Sequence, residues 1–458
     1  MPKPGNIHRV HLIGIKGAGM VALAQLLLAD GLEVSGSDTA ESFFTDETLN
    51  KLGIISQLFS SSNITDDIDL VIYSTAWVDH EEYKTAKNKH IPMISYAQAI
   101  ADRFNDAYGI AVCGSHGKTT TVAMLAYVMA ELGKDPTAVI GSLVKQFGTN
   151  ALVGSSEYFV LEADEYQNKF SLYEPRATIV TSIDYDHPDF FKTPEEYEQV
   201  FIDFLKKDSQ QHIVACIDNG GVSQACKYVL NKKITTYGWS MDAQFRASNY
   251  HVQDGCGVFE VLYDEQNLGE FRTALVGQHN ATNALAVLTM CCCLDIPLDA
   301  SFTQALASFA GTARRFEMKG VIGNTIIIDD YAHHPVEVQA ALKAAKVHYV
   351  DKRIWCVFVP HTFSRTQALM DEFARSFQMV DKVIVLDIYS SARESVGEVS
   401  SQDLVKKINE ISCNAMHIHT NEEATAYLAD HLDDIDVLIT MGAGDVWKVG
   451  VSLIEQLS

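Results

Sequence analysis

The stretch Ala111-Val112-Cys113-Gly114-Ser115-His116-Gly117-Lys118-Thr119-Thr120-Thr121 decides the fold class of this chain. An apolar strand runs into a glycine-containing turn, and the turn opens a helix. Small residues let backbone N–H groups converge on an anion, and the helix N-terminus adds the positive end of its dipole. Lys118 supplies a mobile positive charge, and Thr119 supplies a hydroxyl that can bind Mg2+. The stretch therefore predicts a loop that holds the phosphates of a nucleotide.

The loop departs from a full P-loop. In the full motif another glycine precedes the Gly-Lys pair, and Val112 and Cys113 occupy that place here. The shorter Gly-x-x-Gly-Lys-Thr-Thr form points away from generic GTPases and kinases.

The composition limits the class of protein. The chain has 458 residues, 47% of them hydrophobic, which suits roughly two to four globular domains. The formal net charge of −24 argues against nucleic acid or an acidic membrane surface as a partner, because both require clustered Lys and Arg. No signal peptide and no apolar run of about 20 residues is recognisable, and the nine cysteines contain no Cys-x-x-Cys pair. We therefore expect a cytoplasmic protein with no membrane partner.

Residues 1–106 are predicted to form a small doubly wound α/β unit. Strands are expected at 10–15, 33–38 and 70–76, with a helix at 21–29. The first strand ends in Gly14-Ile15-Lys16-Gly17-Ala18-Gly19-Met20, a turn that fits NAD, a nucleotide sugar or mere tight packing. Lys16 favours a ligand with a diphosphate, and Asp38 lies where a dinucleotide-binding fold places its ribose contact.

Residues 107–310 are predicted to form a second α/β unit around the phosphate loop. Its strands at 158–165 and 177–183 lead into acidic clusters, Glu162-Ala163-Asp164-Glu165 and Asp184-Tyr185-Asp186-His187. Because ligands bind beyond the carboxyl ends of parallel strands, these clusters should face the loop. Short β segments at 230–276 and a helix at 277–294 complete the unit.

Residues 311–458 are predicted to form a third unit, again doubly wound. The expected strands lie at 325–331, 354–359, 383–387 and 437–441, with a helix at 336–347. The first strand leads into Ala332-His333-His334-Pro335, and the second leads into Pro360-His361-Thr362-Phe363-Ser364-Arg365-Thr366. Both segments follow strand ends, where ligands bind.

Several polar residues allow two interpretations. Glu162 and His187 are candidate Mg2+ ligands together with Thr119, although a histidine after a strand is often a hydrogen-bonded structural residue. The pair Arg314-Arg315, with His361 and Arg365, suits carboxylate or phosphate recognition. Solvated surface charge or a salt bridge is the alternative for these cations.

The motifs in this order resemble the Mur ligase family, and the resemblance covers essentially the whole chain. It rests on these segments: Gly14 to Met20, Gly114 to Thr121, Glu162 to Glu165, Asp186-His187, Gly277 to Ala284, Arg314 to Glu317, Asp329 to Pro335, and Pro360 to Thr366. The last two are most similar to members that join L-alanine to UDP-N-acetylmuramate, in their Gram-positive form. The resemblance implies an α/β protein with a Rossmann-like N-terminal domain, a central P-loop ATPase domain with a mostly parallel sheet, and a Rossmann-like C-terminal domain.

The resemblance also implies ATP and Mg2+ as cofactors, and a role for each matching residue. The UDP part of the substrate would contact Gly14, Lys16, Gly17, Ala18, Gly19, Met20, Ser37, Asp38 and Ser74. ATP would contact Gly114, Ser115, His116, Gly117, Lys118, Thr119 and Thr120, with His279 and Asn283 at the adenine, Asp330 at the ribose and Arg315 at the phosphates. Thr119, Glu162 and His187 would hold Mg2+, and His333, His361 and Arg365 would line the alanine pocket. Lys118, Glu162, His187, His333 and Arg365 would be the catalytic set.

Two positions depart from the family pattern. Ser182 replaces the usual Asn before the Asp-His cluster, and Ala332 replaces the usual Gly after Asp-Asp-Tyr. Ser182 has no side-chain amide, so a role of the Asn amide in the family does not carry over to position 182. The change from Gly to Ala at position 332 is mild.

Other functions remain open at this level. A member of the same family could add a preformed peptide to UDP-N-acetylmuramate, or act on a related acid. A protein of another class could bind NAD at the Gly14 turn, as an oxidoreductase or a sensor. We expect the chain to be a monomer or a dimer.

Overall fold

The computed structural model describes residues 7–390, 397–412 and 414–457. These residues form three α/β units in chain order, each built on its own sheet. The predicted boundaries near residues 107 and 311 lie between the sheets. The fold class expected from the sequence is confirmed, with parallel pairing dominant in each sheet.

The first unit is a five-stranded parallel sheet with helices on both faces. Its strands are β1 (Arg9–Ile13), β2 (Glu33–Asp38), β3 (Gln57–Leu58), β4 (Leu70–Tyr73) and β5 (Met93–Ser95), and its helices are α1 (Ala18–Ala29), α2 (Asp46–Lys51), α3 (Glu81–Asn88) and α4 (Tyr96–Asp106). The strand order β3-β2-β1-β4-β5 reverses direction at β1, so the glycine turn after β1 lies at the switch point where such sheets bind ligands. Gly14 has φ +84°, and a Cβ there would lie 2.6 Å from the Trp77 ring, so the turn requires glycine.

The second unit is a ten-stranded sheet. Its strands are β6 (Tyr108–Cys113), β7 (Thr137–Val144), β8 (Thr149–Leu152), β9 (Tyr158–Glu162), β10 (Ala177–Val180), β11 (His212–Cys216), β12 (Ile234–Gly238), β13 (Phe245–Gln253), β14 (Cys256–Tyr263) and β15 (Gln266–Thr273). Its helices are α5 (Lys118–Glu131), α6 (Pro194–Leu205), α7 (Gly220–Cys226), α8 (Gln278–Cys293) and α9 (Ala300–Ser308). The strand β6 lies between β10 and β9, so the phosphate loop leaves the sheet between two strands that end in acidic clusters.

The third unit is a six-stranded sheet. Its strands are β16 (Glu317–Ile322), β17 (Thr325–Asp330), β18 (Ile354–Phe358), β19 (Lys382–Val385), β20 (Ala415–His417) and β21 (Val437–Met441), and its helices are α10 (Pro335–His348), α11 (Phe363–Ala368), α12 (Met370–Ser376), α13 (Ser401–Ile411), α14 (Asn421–Ala429) and α15 (Trp447–Leu457). The order is β16-β17-β21-β18-β19-β20, with only β16 antiparallel to its neighbour. The sequence did not reveal β16, because half of the residues of this edge strand are exposed and its sequence carries no apolar alternation.

The first two units share one hydrophobic core. Apolar side chains of α1 and of the first sheet belong to the same buried cluster as those on one face of the second sheet. Asn150 on β8 joins the units by hydrogen bonds: its Nδ2 donates to the carbonyl of Ala18 at 2.7 Å and to that of Ile140 at 3.2 Å, while Oδ1 accepts from Gln25 at 3.2 Å. The orientation of these two units is therefore set by a continuous buried contact.

None of the helices in the described part of the chain is long and apolar enough to cross a bilayer.

We predict that Asn150→Ala lowers the free energy of unfolding by about 1–3 kcal/mol, because it leaves buried carbonyl groups without their donor. Urea denaturation measures this change. The matched control is Asn231→Ala at an exposed turn position, which should stay within about 0.5 kcal/mol of the wild type. Equal stability of the two variants would contradict the role given to Asn150.

Candidate active site

The glycines of the phosphate loop are required by close approach. Gly114 has φ +136°, and a Cβ there would lie 2.2 Å from Thr181 Oγ1. Gly117 has φ +79°, and a Cβ there would lie 2.8 Å from Asn283 Oδ1. Both positions combine a backbone conformation that side chains disfavour with a neighbour that excludes a side chain. The loop is thus packed between the end of β10 and the start of α8.

Ser182 anchors this loop. Its hydroxyl accepts a hydrogen bond from the backbone N–H of His116 at 2.8 Å, and its carbonyl accepts one from Ser115 N–H at 3.0 Å. The adjacent Thr181 hydroxyl donates to the carbonyl of Cys113 at 3.1 Å. The residue that departs from the family pattern therefore fixes the conformation of the phosphate loop.

Lys118 lies among carboxylates. Its Nζ donates to the carbonyl of Ser115 at 3.3 Å, contacts that of Gly114, and lies 3.4 Å from Glu165 Oε2. Burial by itself would lower the pKa of Lys118, but the charges of Glu165, Asp164 and Glu162 hold that pKa above its usual value. The ammonium group therefore remains charged beside the loop.

Two of the three predicted Mg2+ ligands are in contact. Thr119 Oγ1 donates to Glu162 Oε1 at 2.7 Å, and Glu162 Oε2 accepts from Gly141 N–H at 2.7 Å. A hydroxyl and a carboxylate at the end of a P-loop are the hard oxygen donors that Mg2+ prefers. The donor set at Thr119 and Glu162 therefore fits Mg2+.

His187, the third predicted ligand, groups with different carboxylates. One potential ligand atom each from His187, Asp164 and Glu165 lies within 4.8 Å of the others, and His187 Nε2 is 3.7 Å from Glu165 Oε1. Glu165 is fully buried, and it accepts a hydrogen bond from the Tyr197 hydroxyl at 2.9 Å. Sequence reasoning did not select Glu165, although its place in the acidic cluster after β9 was a signal.

A buried ion pair links the third unit to the second. Arg365 donates from Nε and Nη2 to Asp186 Oδ1 at 2.9 and 2.8 Å, and its Nη1 lies 2.9 Å from His361 Nδ1. Arg365 is only 3% exposed. Burial would raise the pKa of Asp186, but Arg365 and His187 hold it far below its usual range. Arg365 and His361, both predicted for the alanine pocket, are thus brought against the Asp-His cluster.

The two adjacent arginines have different surroundings. Arg314 is structural: it donates to Asp329 Oδ2 at 2.9 Å and to the carbonyls of Gly442 and Gly444 at 2.8 Å each. Arg315 instead lines a cavity, and its Nη1 is 3.7 Å from Glu337 Oε1. The salt-bridge interpretation therefore holds for Arg314.

That cavity lies between the second and third units and has a volume of about 320 Å3. The predicted ATP residues His116, Gly117, Thr120, His279, Asn283, Arg315 and Asp330 line it. Asp330 accepts from the backbone N–H groups of Phe316 and Ala332 at 2.7 Å each, and burial raises its pKa to about 6. Burial also lowers the pKa of His279 to about 4, which keeps that ring neutral at neutral pH.

Glu337 organises the histidines at this interface, and sequence reasoning missed it. Its carboxylate lies 3.5 Å from a ring nitrogen of His116 on the phosphate loop and 3.5 Å from His333 Nδ1. Burial would raise the pKa of Glu337, but His333, His116 and Arg315 hold it well below the usual value. Burial lowers the pKa of His333 to about 4. The signal in the sequence was its position one helical turn after His333.

The predicted UDP residues line the first glycine turn or support it from below. Lys16 Nζ donates to the carbonyl of Glu41 at 2.7 Å, and Lys16 N–H donates to Asp38 Oδ2 at 2.8 Å. Ser37 is fully buried, with its hydroxyl between His11 and Glu82, so that side chain supports the sheet. Ser74 caps a short 3-10 helix through its hydroxyl, whereas Gly17, Ala18, Gly19 and Met20 form the turn and the start of α1.

The chain has a P-loop unit flanked by two smaller α/β units, and cations and carboxylates meet where the sheets end. This arrangement defines a three-domain nucleotide-binding class of protein. Family models describe the same three parts: the Mur ligase family catalytic domain at residues 9–108, the Mur ligase middle domain at 112–291, and the Mur ligase glutamate ligase domain at 314–444. The chain belongs to the Mur ligase family, as the sequence motifs indicated.

Full-length relatives agree with this assignment. The chain is 38% identical to the UDP-N-acetylmuramate–L-alanine ligase of Desulfitobacterium hafniense over 97% of its own length and 99% of the relative's. It is 39% identical to the ligase of the same name from Clostridium kluyveri, over 98% of each chain. Among solved structures, the UDP-N-acetylmuramate-alanine ligase MurC of Thermotoga maritima matches with a TM-score of 0.81 and 25% identity over 98% of both chains.

A murein peptide ligase from Psychrobacter arcticus shares the fold, with a TM-score of 0.73 at 21% identity over 98% of both chains.

We predict that Arg365→Ala opens the third unit away from the second. Removing one partner from a buried ion pair costs about 3–5 kcal/mol if nothing moves, and rotation of the third unit would hydrate Asp186 instead. Small-angle X-ray scattering should therefore show a larger radius of gyration. The control is Arg353→Ala, which removes a surface arginine that pairs with Asp436. An unchanged radius of gyration in the Arg365 variant would contradict the prediction.

Proposed function

We propose that this chain joins L-alanine to the carboxylate of UDP-N-acetylmuramate at the expense of ATP, a step in peptidoglycan precursor synthesis. The observation that carries the proposal is the phosphate loop. Lys118 and Thr119 lie beside Glu165 and Glu162 at the end of β9, and Arg365 of the third unit binds Asp186 at the end of the neighbouring strand β10. The names of the full-length relatives supply the substrates.

ATP would occupy the cavity between the second and third units. His279 and Asn283 would contact the adenine, and Asp330 would contact the ribose. Lys118 would hold the β- and γ-phosphates, and Arg315 would reach them from the third unit. The backbone N–H groups of the loop would hold the phosphate oxygens at the N-terminus of α5.

Thr119, Glu162 and His187 would hold Mg2+, which neutralises charge on the transferring phosphoryl group when it is bound. The contact between Thr119 and Glu162 supports two of these ligands. The imidazole of His187 lies on the Asp164 and Glu165 side of the site, so this side chain would have to reorient to share an ion with Thr119 and Glu162.

A carboxylate is a poor electrophile, so it must be activated before an amine attacks. The muramoyl carboxylate would attack the γ-phosphorus and ADP would leave, giving an acyl phosphate. Lys118 would offset the negative charge that develops in this in-line transfer. The alanine amine would then attack the acyl carbon to give a tetrahedral intermediate. This intermediate would expel inorganic phosphate and lose a proton, which leaves the amide.

His333, His361 and Arg365 would form the alanine end of the site. The Arg365 guanidinium is a suitable group to orient the amino-acid carboxylate, since it pairs with carboxylates through two N–H groups. Because its pKa is about 4, the His333 imidazole is neutral at neutral pH and can accept a hydrogen bond from the attacking amine. The acyl phosphate would hydrolyse in water, so closure of the third unit should precede the chemistry.

The uridine diphosphate would bind at the Gly14 turn. Lys16 is the cation within this turn, and Asp38 holds the backbone of Lys16 in place.

A reducing compartment such as the cytoplasm suits the eight cysteines of the described residues, all of which are free thiols.

We predict that the purified protein releases phosphate from ATP with UDP-N-acetylmuramate and L-alanine, and only weakly with larger amino acids. A colorimetric phosphate assay across an amino-acid panel, with mass spectrometry of the UDP product, measures this selectivity. Turnover with a peptide but not with L-alanine would assign the chain to peptide addition instead. Binding of NADH without any phosphate release would favour a dinucleotide sensor.

We predict that Lys118→Ala lowers kcat by on the order of 1,000-fold, because it removes the cation that stabilises the transferring phosphoryl group. Binding of UDP-N-acetylmuramate, measured by calorimetry, should be nearly unchanged. The matched control is Lys407→Ala on the surface of the third unit, which should retain wild-type turnover. Full activity of the Lys118 variant would contradict the phosphate role.

A further inference from the structure

A cluster of two histidines and one aspartate lies at the edge of the third sheet. His417 Nε2 is 2.7 Å from Asp387 Oδ1, and His419 Nδ1 is 3.2 Å from Asp387 Oδ2. The three potential ligand atoms all lie within 4.8 Å of one another. Each carboxylate oxygen therefore faces a different imidazole.

The backbone holds this cluster in register. His417 ends β20 and pairs with Val385 of the parallel strand β19. The ladder continues past both strand ends, since Ile418 N–H donates to the Val385 carbonyl at 3.1 Å and Asp387 N–H donates to the His419 carbonyl at 3.4 Å. The side chains of His417 and His419 point to the same face of the sheet, because the two residues are two positions apart along an extended chain. The three groups are thus placed by the sheet.

The spacing is close to that of a metal site. With metal–ligand bonds of about 2.1 Å, neighbouring ligand atoms of a tetrahedral site are about 3.4 Å apart. The observed nitrogen–oxygen separations of 2.7 and 3.2 Å are shorter than this by less than about 1 Å. A metal ion would require these nitrogen–oxygen separations to increase, and rotation of the exposed side chains can supply the increase. The side chain of His419 is 61% exposed and that of Asp387 is 59% exposed, whereas that of His417 is 12% exposed.

We propose that Asp387, His417 and His419 bind a divalent transition-metal ion at a site outside the nucleotide cavity. Two imidazoles and one carboxylate favour Zn2+, Ni2+, Co2+ or Cu2+ over Mg2+, which prefers oxygen ligands. The exposed side of the cluster leaves the remaining coordination positions to water. The site is distant from the nucleotide cavity: β19 and β20 are three and four strand spacings from β17, which carries Asp330, or roughly 14 and 19 Å.

Calorimetric titration of the tag-free full-length chain with Ni2+, in excess Mg2+, tests the proposal. The wild type should bind Ni2+ at this site, and His419→Ala should weaken that binding by on the order of 100-fold, since loss even of an outer-shell partner costs about 10- to 100-fold. His417→Ala and Asp387→Asn should act in the same direction. The matched control is His251→Ala, an exposed histidine on β13 whose removal should leave Ni2+ binding unchanged.

Thermal unfolding gives a second readout. Ni2+ should raise the Tm of the wild type and of the His251 variant, but not that of the His419 variant. Because His419 is exposed, its truncation should leave the Tm without metal unchanged. The His419 variant therefore tests the site even if the His417 variant has a folding defect. Identical Ni2+ titrations of the wild type and the His419 variant would overturn the proposal, and the cluster would then be a set of hydrogen bonds only.

Discussion

The buried pair between Arg365 and Asp186 is the constraint on which the rest of the site depends. It carries a guanidinium from the third unit into contact with the acidic cluster that follows β10 in the second unit. Two charges removed from water are stable only while they face each other, so the pair requires the two units to be apposed. Once apposed, the units enclose the nucleotide cavity, which neither unit forms alone.

The same electrostatic rule organises the other cations of the site. The chain carries a formal net charge of −24, yet Lys118, Arg315 and Arg365 are concentrated at one interface. Each is matched by a carboxylate that is at most 10% exposed: Glu165, Glu337 or Asp186. These carboxylates keep the cations charged and already desolvated at the place where a phosphate or a substrate carboxylate would bind.

Much of the architecture was predictable from the sequence, because apolar strands, glycine turns and helix starts are local signals. The phosphate loop, the acidic clusters and the three α/β units all followed from such patterns. The edge strand β16 was missed, since its exposed residues lack a period. The residue types alone did not separate Arg314 from Arg315, and only the family resemblance selected Arg315. Adjacent residues of the same type differ in what the folded chain places beside them: Asp329 and two carbonyls for Arg314, the cavity for Arg315.

The sequence by itself determined the fold class, the family and the kind of chemistry, because these depend on residue types at fixed spacings: Gly-Lys-Thr after a strand, and Asp-His after another. The tertiary structure decided which groups meet. Glu165 beside Lys118, Glu337 beside His116, and Ser182 under the phosphate loop are separated by long stretches of chain from the groups they hold. Their roles arise from burial and distance, which sequence spacing does not encode, and the carboxyl ends of the parallel strands bring these side chains together.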